Sequence, residues 1–228
     1  MKKIVVFTGA GISAESGIKT FRDSNGLWEE FKIEDVATWK GWNKDRSKVI
    51  DFYNSCRRQL KNVQPNDAHK ALAKLEEKYK VVVITQNVDD LHERGGSTNI
   101  LHLHGELTKA RSTMDPSLVY DIGYEDIKIG DKCDRGSQLR PHIVWFGEAV
   151  PMMEVASNMI SDADIIIVVG TSMQVYPAAN LIEYVSSNAE IYFIDPNAIN
   201  NLNRKIKTIR EKAGIAVPEL VNVLLKNA

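Results

Sequence analysis

Four short apolar runs, residues 4–7, 81–84, 165–169 and 191–194, constrain the fold of this chain more than any other feature. Each is apolar at every position rather than at alternate ones, the pattern of strands buried on both faces of a parallel sheet. Each passes directly into Gly, Asn, Asp, Thr or Ser, which suits loops at the carboxyl ends of strands. Helical spacing fills the intervals. Residues 69–78 place Ala and Leu at helical spacing behind Pro65-Asn66, a start signal. Residues 177–185 are a second such stretch and 217–225 a third, with Pro218 near its first turn. Strands alternating with helices predict an α/β fold built on a doubly wound parallel sheet.

Two segments break the alternation. Residues 29–64 set Phe31, Trp39, Trp42, Phe52 and Tyr53 among charges, with a helix expected over 47–60. Residues 108–139 are polar with scattered Gly, Asp and Ser, and read as short strands and loops. Both read as insertions that together form a smaller domain. They leave 1–28, 65–107 and 140–228 to a Rossmann-like sheet domain.

Composition narrows the function classes. The chain has 228 residues, 43% of them hydrophobic, which is ample for a globular core. The net charge of −1 gives no basic face from which to expect nucleic-acid binding. Lys2 and Lys3 precede an apolar run too short for a signal-peptide core, and residues 165–169 are too few to cross a bilayer. Cys56 and Cys133 are the only cysteines, which is no disulfide framework and fits a reducing compartment. The expectation is a cytoplasmic protein with neither membrane nor nucleic acid as partner.

Several stretches could carry chemistry. Gly9, Gly11 and Gly17 follow the first run with spacing G-x-G-x5-G. This is either a dinucleotide loop offering backbone N–H groups to a pyrophosphate or a tight turn after a buried strand. Gln86-Asn87-Val88-Asp89 follows the second run. At a strand end these side chains point into the crevice of an open α/β sheet, or else cap the next helix. Phe21-Arg22 is either a buried ring beside a solvated cation or a phosphate-binding fork. His102 and His104 would share one side of a strand, but no third ligand of the right kind is near, so a metal site is discounted. Residues 144–148, Val-Trp-Phe-Gly-Glu, read as a buried edge strand ending in a turn, and a free edge can pair with an extended peptide.

Six stretches taken together extend the reading: GAGISAESGI (9–18), TFRDSNGLW (20–28), TQNVDDLHERGG (85–96), HLHGEL (102–107), RPHIVWFGE (140–148) and GTSMQVYPAA (170–179). In kind and order they resemble the sirtuins, NAD-dependent protein lysine deacylases, and most of all bacterial sirtuins that remove acetyl and acidic acyl groups. The resemblance implies NAD as cofactor and acyl-lysine proteins or peptides as partners, bound in a cleft between the two domains. It places Gly9, Ala10, Gly11, Ser13, Glu15, Phe21, Arg22 and Trp28 around the cofactor. Gln86 would meet the ribose, and Asn87 and Asp89 the nicotinamide carboxamide. Gly170, Thr171, Ser172, Asp195, Asn197 and Ala213 would lie towards ribose and adenine. His104 would be the general base, freeing a ribose hydroxyl of its proton, and His102 structural. Val144, Trp145, Phe146 and Gly147 would grip the acyl-lysine. The products would be free lysine, nicotinamide and O-acyl-ADP-ribose, with no protein nucleophile needed. Two rival readings remain: an NAD or ADP-ribose binding module without turnover, and an ADP-ribosyltransferase.

The chain departs from that family in two places. Many sirtuins hold a structural zinc with two cysteine pairs in the second insertion; here residues 105–145 contain Cys133 alone, so no zinc is expected. Relatives preferring succinyl or malonyl groups carry Tyr-x-x-Arg on the helix of the first insertion. Here Tyr53 is followed three residues on by Cys56, then Arg57 and Arg58. Both arginines are expected in solvent unless Arg57 turns inward to serve the pocket. Without metal or an obvious apolar run, residues 108–139 are expected to be the segment most open to protease.

Overall fold

The computed structural model describes residues 1–18, 31–171, 176–198 and 206–228. Its strands are β1 (Lys3–Thr8), β2 (Lys80–Thr85), β3 (Ile100–His102), β4 (Gly105–Ser112), β5 (Val119–Asp121), β6 (Leu139–Ile143), β7 (Ile165–Val169), β8 (Glu190–Ile194) and β9 (Ile206–Ile209). Six of them form a parallel sheet in the order β3-β2-β1-β7-β8-β9, and β5-β4-β6 form a small antiparallel sheet. The α-helices are α1 (Ile33–Val36), α2 (Trp39–Lys44), α3 (Arg46–Asn62), α4 (Asp67–Lys74), α5 (Leu91–Arg94), α6 (Met153–Ser161) and α7 (Ala213–Lys226).

The all-apolar runs are central strands because both faces of the sheet are covered. Ile4, Val6, Val83 and Ile167 point to one side, where Leu72 of α4 and Val217, Leu220 and Val221 of α7 meet them. Val5, Phe7, Ile84 and Val168 point to the other, against Ala156 and Ile160 of α6 and Leu181. Full burial of each such side chain contributes about 1.5–3 kcal/mol. The result is the doubly wound α/β architecture expected from the sequence. Strand order reverses between β1 and β7, which pair in parallel, and the register is flush there: Thr8 lies opposite both Thr85 and Val169. The loops after β1, β2 and β7 therefore leave the sheet at one level.

A third core joins α1, α2 and α3 to the antiparallel sheet through Val36, Trp42, Phe52, Leu107, Ala110, Ile127, Ile143 and Trp145. Asn54 of α3 locks it. Its Nδ2 donates to the Ile127 carbonyl (2.9 Å), and its Oδ1 accepts the Ile127 N–H (3.0 Å). Residues 108–139 are thus held by packing and by a buried clamp on one apolar residue, Ile127, rather than by an apolar run of their own.

Other details differ from the sequence reading. The first-insertion helix is longer, Arg46–Asn62, because Asp45 caps Lys48 N–H. The stretch at 177–185 is a 3-10 helix, Ala178–Tyr184. The last helix begins at Ala213, so Pro218 lies inside it. Strand β6 ends at Ile143, so residues 144–148 are not a strand: Val144 N–H donates to the His104 carbonyl, Phe146 N–H to the Ala37 carbonyl, and Trp145 N–H to the Glu148 carboxylate. Arg57 is completely buried rather than solvated, because it donates to the Leu107 carbonyl (3.3 Å) and to Asn54. Arg58 stays outside, paired with Asp126.

Candidate active site

The site is built at the carboxyl ends of the parallel strands, where the strand order reverses. Open α/β sheets bind ligands at such a point. After β1 the chain makes two short 3-10 turns, Ala10–Ile12 and Ala14–Ser16. Gly9 N–H donates to the Val169 carbonyl (3.1 Å) and Gly11 N–H to the Gly170 carbonyl (2.8 Å). The glycines are required by this contact between loops. A Cβ on Gly11 would stand 2.7 Å from Gly170 Cα, and one on Gly170, whose φ is +61°, 2.2 Å from Ile12 N. The amides of Gly9 and Gly11 therefore do not point at a ligand, unlike the dinucleotide-loop reading. Ala10 N–H has no partner among the described residues.

Asn87 and Asp89 reach this loop from the end of β2. Asn87 Nδ2 donates to the Gly9 carbonyl and to Ser13 Oγ, both at 3.2 Å, and Ser13 Oγ donates to Asp89 Oδ2 at 3.0 Å. All three side chains are buried. Burial pushes the Asp89 carboxyl up to about 6, although the Leu91 N–H and the Ser13 hydroxyl bonded to it oppose the rise. Gln86 Nε2 donates to Thr171 Oγ1 (3.1 Å), tying the β2 loop to the β7 loop.

The two histidines differ in state. His104 Nδ1 lies 3.0 Å from the Gln86 carbonyl. A carbonyl only accepts, so Nδ1 carries the proton and Nε2 keeps its lone pair. Burial lowers the pKa of His104 further than the Gln86 bond raises it, which favours the neutral ring. His102 places Nδ1 on the Asn87 carbonyl (3.0 Å) and Nε2 on Glu93 Oε1 (2.8 Å). Burial works against its charge, but the Glu93 carboxylate outweighs that and raises the pKa. His102 is thus a charged strut, and His104 a neutral ring with a bare Nε2. Gly105 follows with φ of +83°, and a Cβ there would meet the His142 carbonyl at 2.0 Å, so the chain can turn from β3 into β4 only through glycine.

Residues 9–177 match the Sir2 family profile, and that span is well over half of the chain. The chain belongs to the Sir2 family. An NAD-dependent protein deacylase from Helicobacter pylori is 55% identical over 229 residues, covering 100% of both chains. One from Bacteroides thetaiotaomicron is 51% identical over 231 residues, covering 99% of both. Among solved structures, a Sir2 homologue–NAD complex superposes with a TM-score of 0.89 at 42% identity, covering 99% of this chain and 90% of that one. A Sir2 variant with a deacetylated p53 peptide and 3′-O-acetyl-ADP-ribose gives 0.78 at 29% identity, covering 99% and 93%.

The remaining sirtuin positions fall as follows. Phe21, Arg22, Trp28 and Ser172 lie outside the described residues. Asp195 and the exposed Asn197 sit at the end of β8, with Asn197 N–H on Asp195 Oδ1 (2.8 Å). Ala213 is buried at the start of α7. Glu15 is engaged as the cap of that helix, its Oε2 accepting Gly214 N–H at 2.7 Å. On the side of the antiparallel sheet, Trp145 is buried and donates Nε1–H to Tyr53 Oη (3.1 Å), while Phe146 is exposed beside Gly147, whose φ is +86°. Val144 and Cys56 are half-buried. Burial pushes the Cys56 thiol up to about 12, so it is no nucleophile at neutral pH. Arg57 does not join Tyr53: its bonds run to Asn54 and Leu107.

Sequence reasoning missed two supports. Thr8 Oγ1 donates to Thr85 Oγ1 (2.8 Å), which in turn accepts Asn87 N–H (3.0 Å), so the threonines closing two apolar runs hold the loop carrying Asn87. The signal was a Thr at the same place after each run. Glu148 is bonded by Arg140 and Arg111, and only the Arg140 half of that cluster lies in its own sequence stretch.

Proposed function

We propose that the chain is an NAD-dependent protein-lysine deacylase acting chiefly on acetyl-lysine and releasing nicotinamide and O-acyl-ADP-ribose. The observation that carries this reading is the neutral His104, its Nε2 open, anchored on Gln86 immediately beside the buried Ser13–Asn87–Asp89 cluster. The residues fit NAD: an Ala10 amide without a partner among the described residues, and a buried amide and carboxyl at the strand ends. NAD, when bound, supplies a ribose carbon carrying nicotinamide as leaving group.

Asn87 and Asp89 hold the carboxamide end. A carboxyl with its pKa near 6 is partly protonated near neutrality and can donate as well as accept. Gln86, fixed to Thr171, orients the ribose. His104 Nε2 takes the proton from a ribose hydroxyl, and the Gln86 carbonyl stabilises the imidazolium that results. Phe21, Arg22, Trp28 and Ser172 complete the cofactor site, with Asp195, Asn197 and Ala213 at its adenine end. Val144, Trp145, Phe146 and Gly147 receive the acyl-lysine, and Tyr53 and Cys56 close the acyl pocket. Two insertions, 29–64 and 108–139, make the smaller domain of the cleft; their common core around Ile127 supports that division.

Zinc does not fit this chain. Cys133 is the single cysteine of residues 105–145, its Sγ 3.0 Å from Ser137 Oγ, and one thiolate does not make a four-coordinate zinc site. Among the described residues no helix is long and apolar enough to cross a membrane. The deciding test is incubation with NAD and an acetyl-lysine peptide. Release of nicotinamide with O-acetyl-ADP-ribose and a peptide lighter by one acetyl group is expected. NAD binding without turnover would favour a sensing module, and a gain of ADP-ribose mass on protein would favour an ADP-ribosyltransferase.

A further inference from the structure

Residues 144–148 are held by an unequal set of charges. Glu148 accepts from Trp145 N–H (2.7 Å), from Arg140 Nη2 (2.6 Å) and from Arg111 Nη2 (3.1 Å). Arg140 is 2% exposed and Arg111 8%. Two buried guanidinium groups thus share one carboxylate, which leaves one positive charge over. Arg140 Nη1 and Arg111 Nε are buried and have no hydrogen-bond partner. A buried charge without a counter-charge is unfavourable, and so is a buried donor without an acceptor.

The cluster borders a cavity of about 340 Å³ lined by Trp39, Thr113, Gly147 and the three charged residues. Among the described residues no other ionisable side chain lines it. The Arg140 guanidinium packs against two indoles set at right angles, 4.6 Å from the Trp39 ring and 3.9 Å from that of Trp145. Trp145 is buried, whereas Trp39 is 39% exposed and forms the outer wall. Gly147 belongs to the segment that receives the acyl-lysine, and its N–H has no partner among the described residues. Gly147 also lines the cavity, so a peptide held by that segment would lie next to it.

We propose that this cavity takes one carboxylate, bound by Arg140 and Arg111 beneath Trp39, and that an acidic side chain of the substrate peptide supplies it. The proposal rests on the deacylase reading for its peptide. One surplus positive charge is matched by a monoanion; a phosphate dianion would leave an excess negative charge next to Glu148. The planar guanidinium fork suits the two oxygens of a carboxylate.

The test is a scan of acetyl-lysine peptides in which Gln is replaced by Glu at one flanking position at a time. One position is expected at which Glu lowers KM about tenfold against Gln with kcat unchanged, as for one charge-assisted hydrogen bond. In Arg140→Lys, which keeps the charge but not the fork, the ratio of the two KM values should fall towards one. That ratio is insensitive to a general loss of activity, and the wild-type scan stands even if the variant does not fold. A second arm uses glutarate without peptide. If the scan is flat but glutarate raises the melting temperature above sodium chloride of equal ionic strength, the cavity takes a free carboxylate instead. A flat scan together with no glutarate effect overturns the proposal. If no peptide is turned over at all, the deacylase reading fails separately, and the glutarate arm alone decides the cavity.

Discussion

His104 can accept a proton only while Nε2 is bare, and two features keep it so: the Gln86 carbonyl fixes the Nδ1–H tautomer, and burial disfavours the imidazolium. His104→Ala is therefore expected to lower kcat about 10²–10⁴-fold, the usual range for losing a general base. Stabilisation by NAD should survive in a thermal shift, and near-normal turnover would remove His104 from its role. Because its pKa lies below 6.5, the acid limb of kcat should fall below that pH. Asp89 has the opposite sign. Its folded pKa of about 6 exceeds the ordinary 3.8, so the protonated form contributes stability below pH 3.8 that is lost as pH rises through 6. Asp89→Asn mimics the protonated form and should gain on wild type by about 2–3 kcal/mol between pH 4 and 8. A difference in melting temperature that stays constant with pH would show that burial does not shift this carboxyl.

Helix α3 carries the Asn54 clamp together with Tyr53 and Cys56, the residues proposed to close the acyl pocket. Asn54→Ala removes both hydrogen bonds to Ile127 and leaves two buried backbone groups and the Arg57 guanidinium short of a partner. A loss of about 2–4 kcal/mol is expected, with amide exchange rising across residues 119–139 rather than in the parallel sheet. Arg57 has both Nη groups on Leu107 and Asn54 and keeps only a buried Nε without a partner, so it has no two-pronged fork to offer an acidic acyl group beside Tyr53, and succinyl-lysine should be a weak substrate. Cys56→Arg restores the Tyr-x-x-Arg spacing and should raise activity on succinyl-lysine relative to acetyl-lysine. A wild-type preference for succinyl-lysine that Arg57→Ala leaves untouched would refute this. The sequence could not foretell the inward turn of Arg57, because Leu107 lies on a distant strand. The central strands were legible because burial on both faces makes every position apolar. Strands β3 and β9 were not: each is short, at the sheet edge, and only partly buried. Helix α6 escaped notice because only Ala156 and Ile160 of it are buried. Residues 144–148 read as a strand by composition, yet a carboxylate four residues beyond Val144 takes the Trp145 amide and bends the chain.

The molecule joins two sheets through the short connection from β3 to β4, and His104 sits on it. The geometry around His104 therefore depends on how firmly the antiparallel sheet is held against α3 as much as on the parallel sheet. In sirtuins with two cysteine pairs a metal can supply that firmness. Here the same task falls to the core around Phe52, Ile127, Ile143 and Trp145, the Asn54 clamp, and the Arg111–Glu148–Arg140 cluster. Cys133 contributes as a small buried side chain: the Ser112 and Ser137 hydroxyls hold its thiol down to about 7, and neither adds a second soft ligand. Stability and activity should both be independent of metal. Prolonged incubation with a strong chelator, followed by dialysis, is expected to leave the melting temperature and kcat/KM unchanged, with less than stoichiometric zinc in the untreated protein. One zinc per chain, together with a melting temperature that falls on chelation and recovers on adding zinc, would mean that the second insertion is held by a metal site the residues around Cys133 do not suggest.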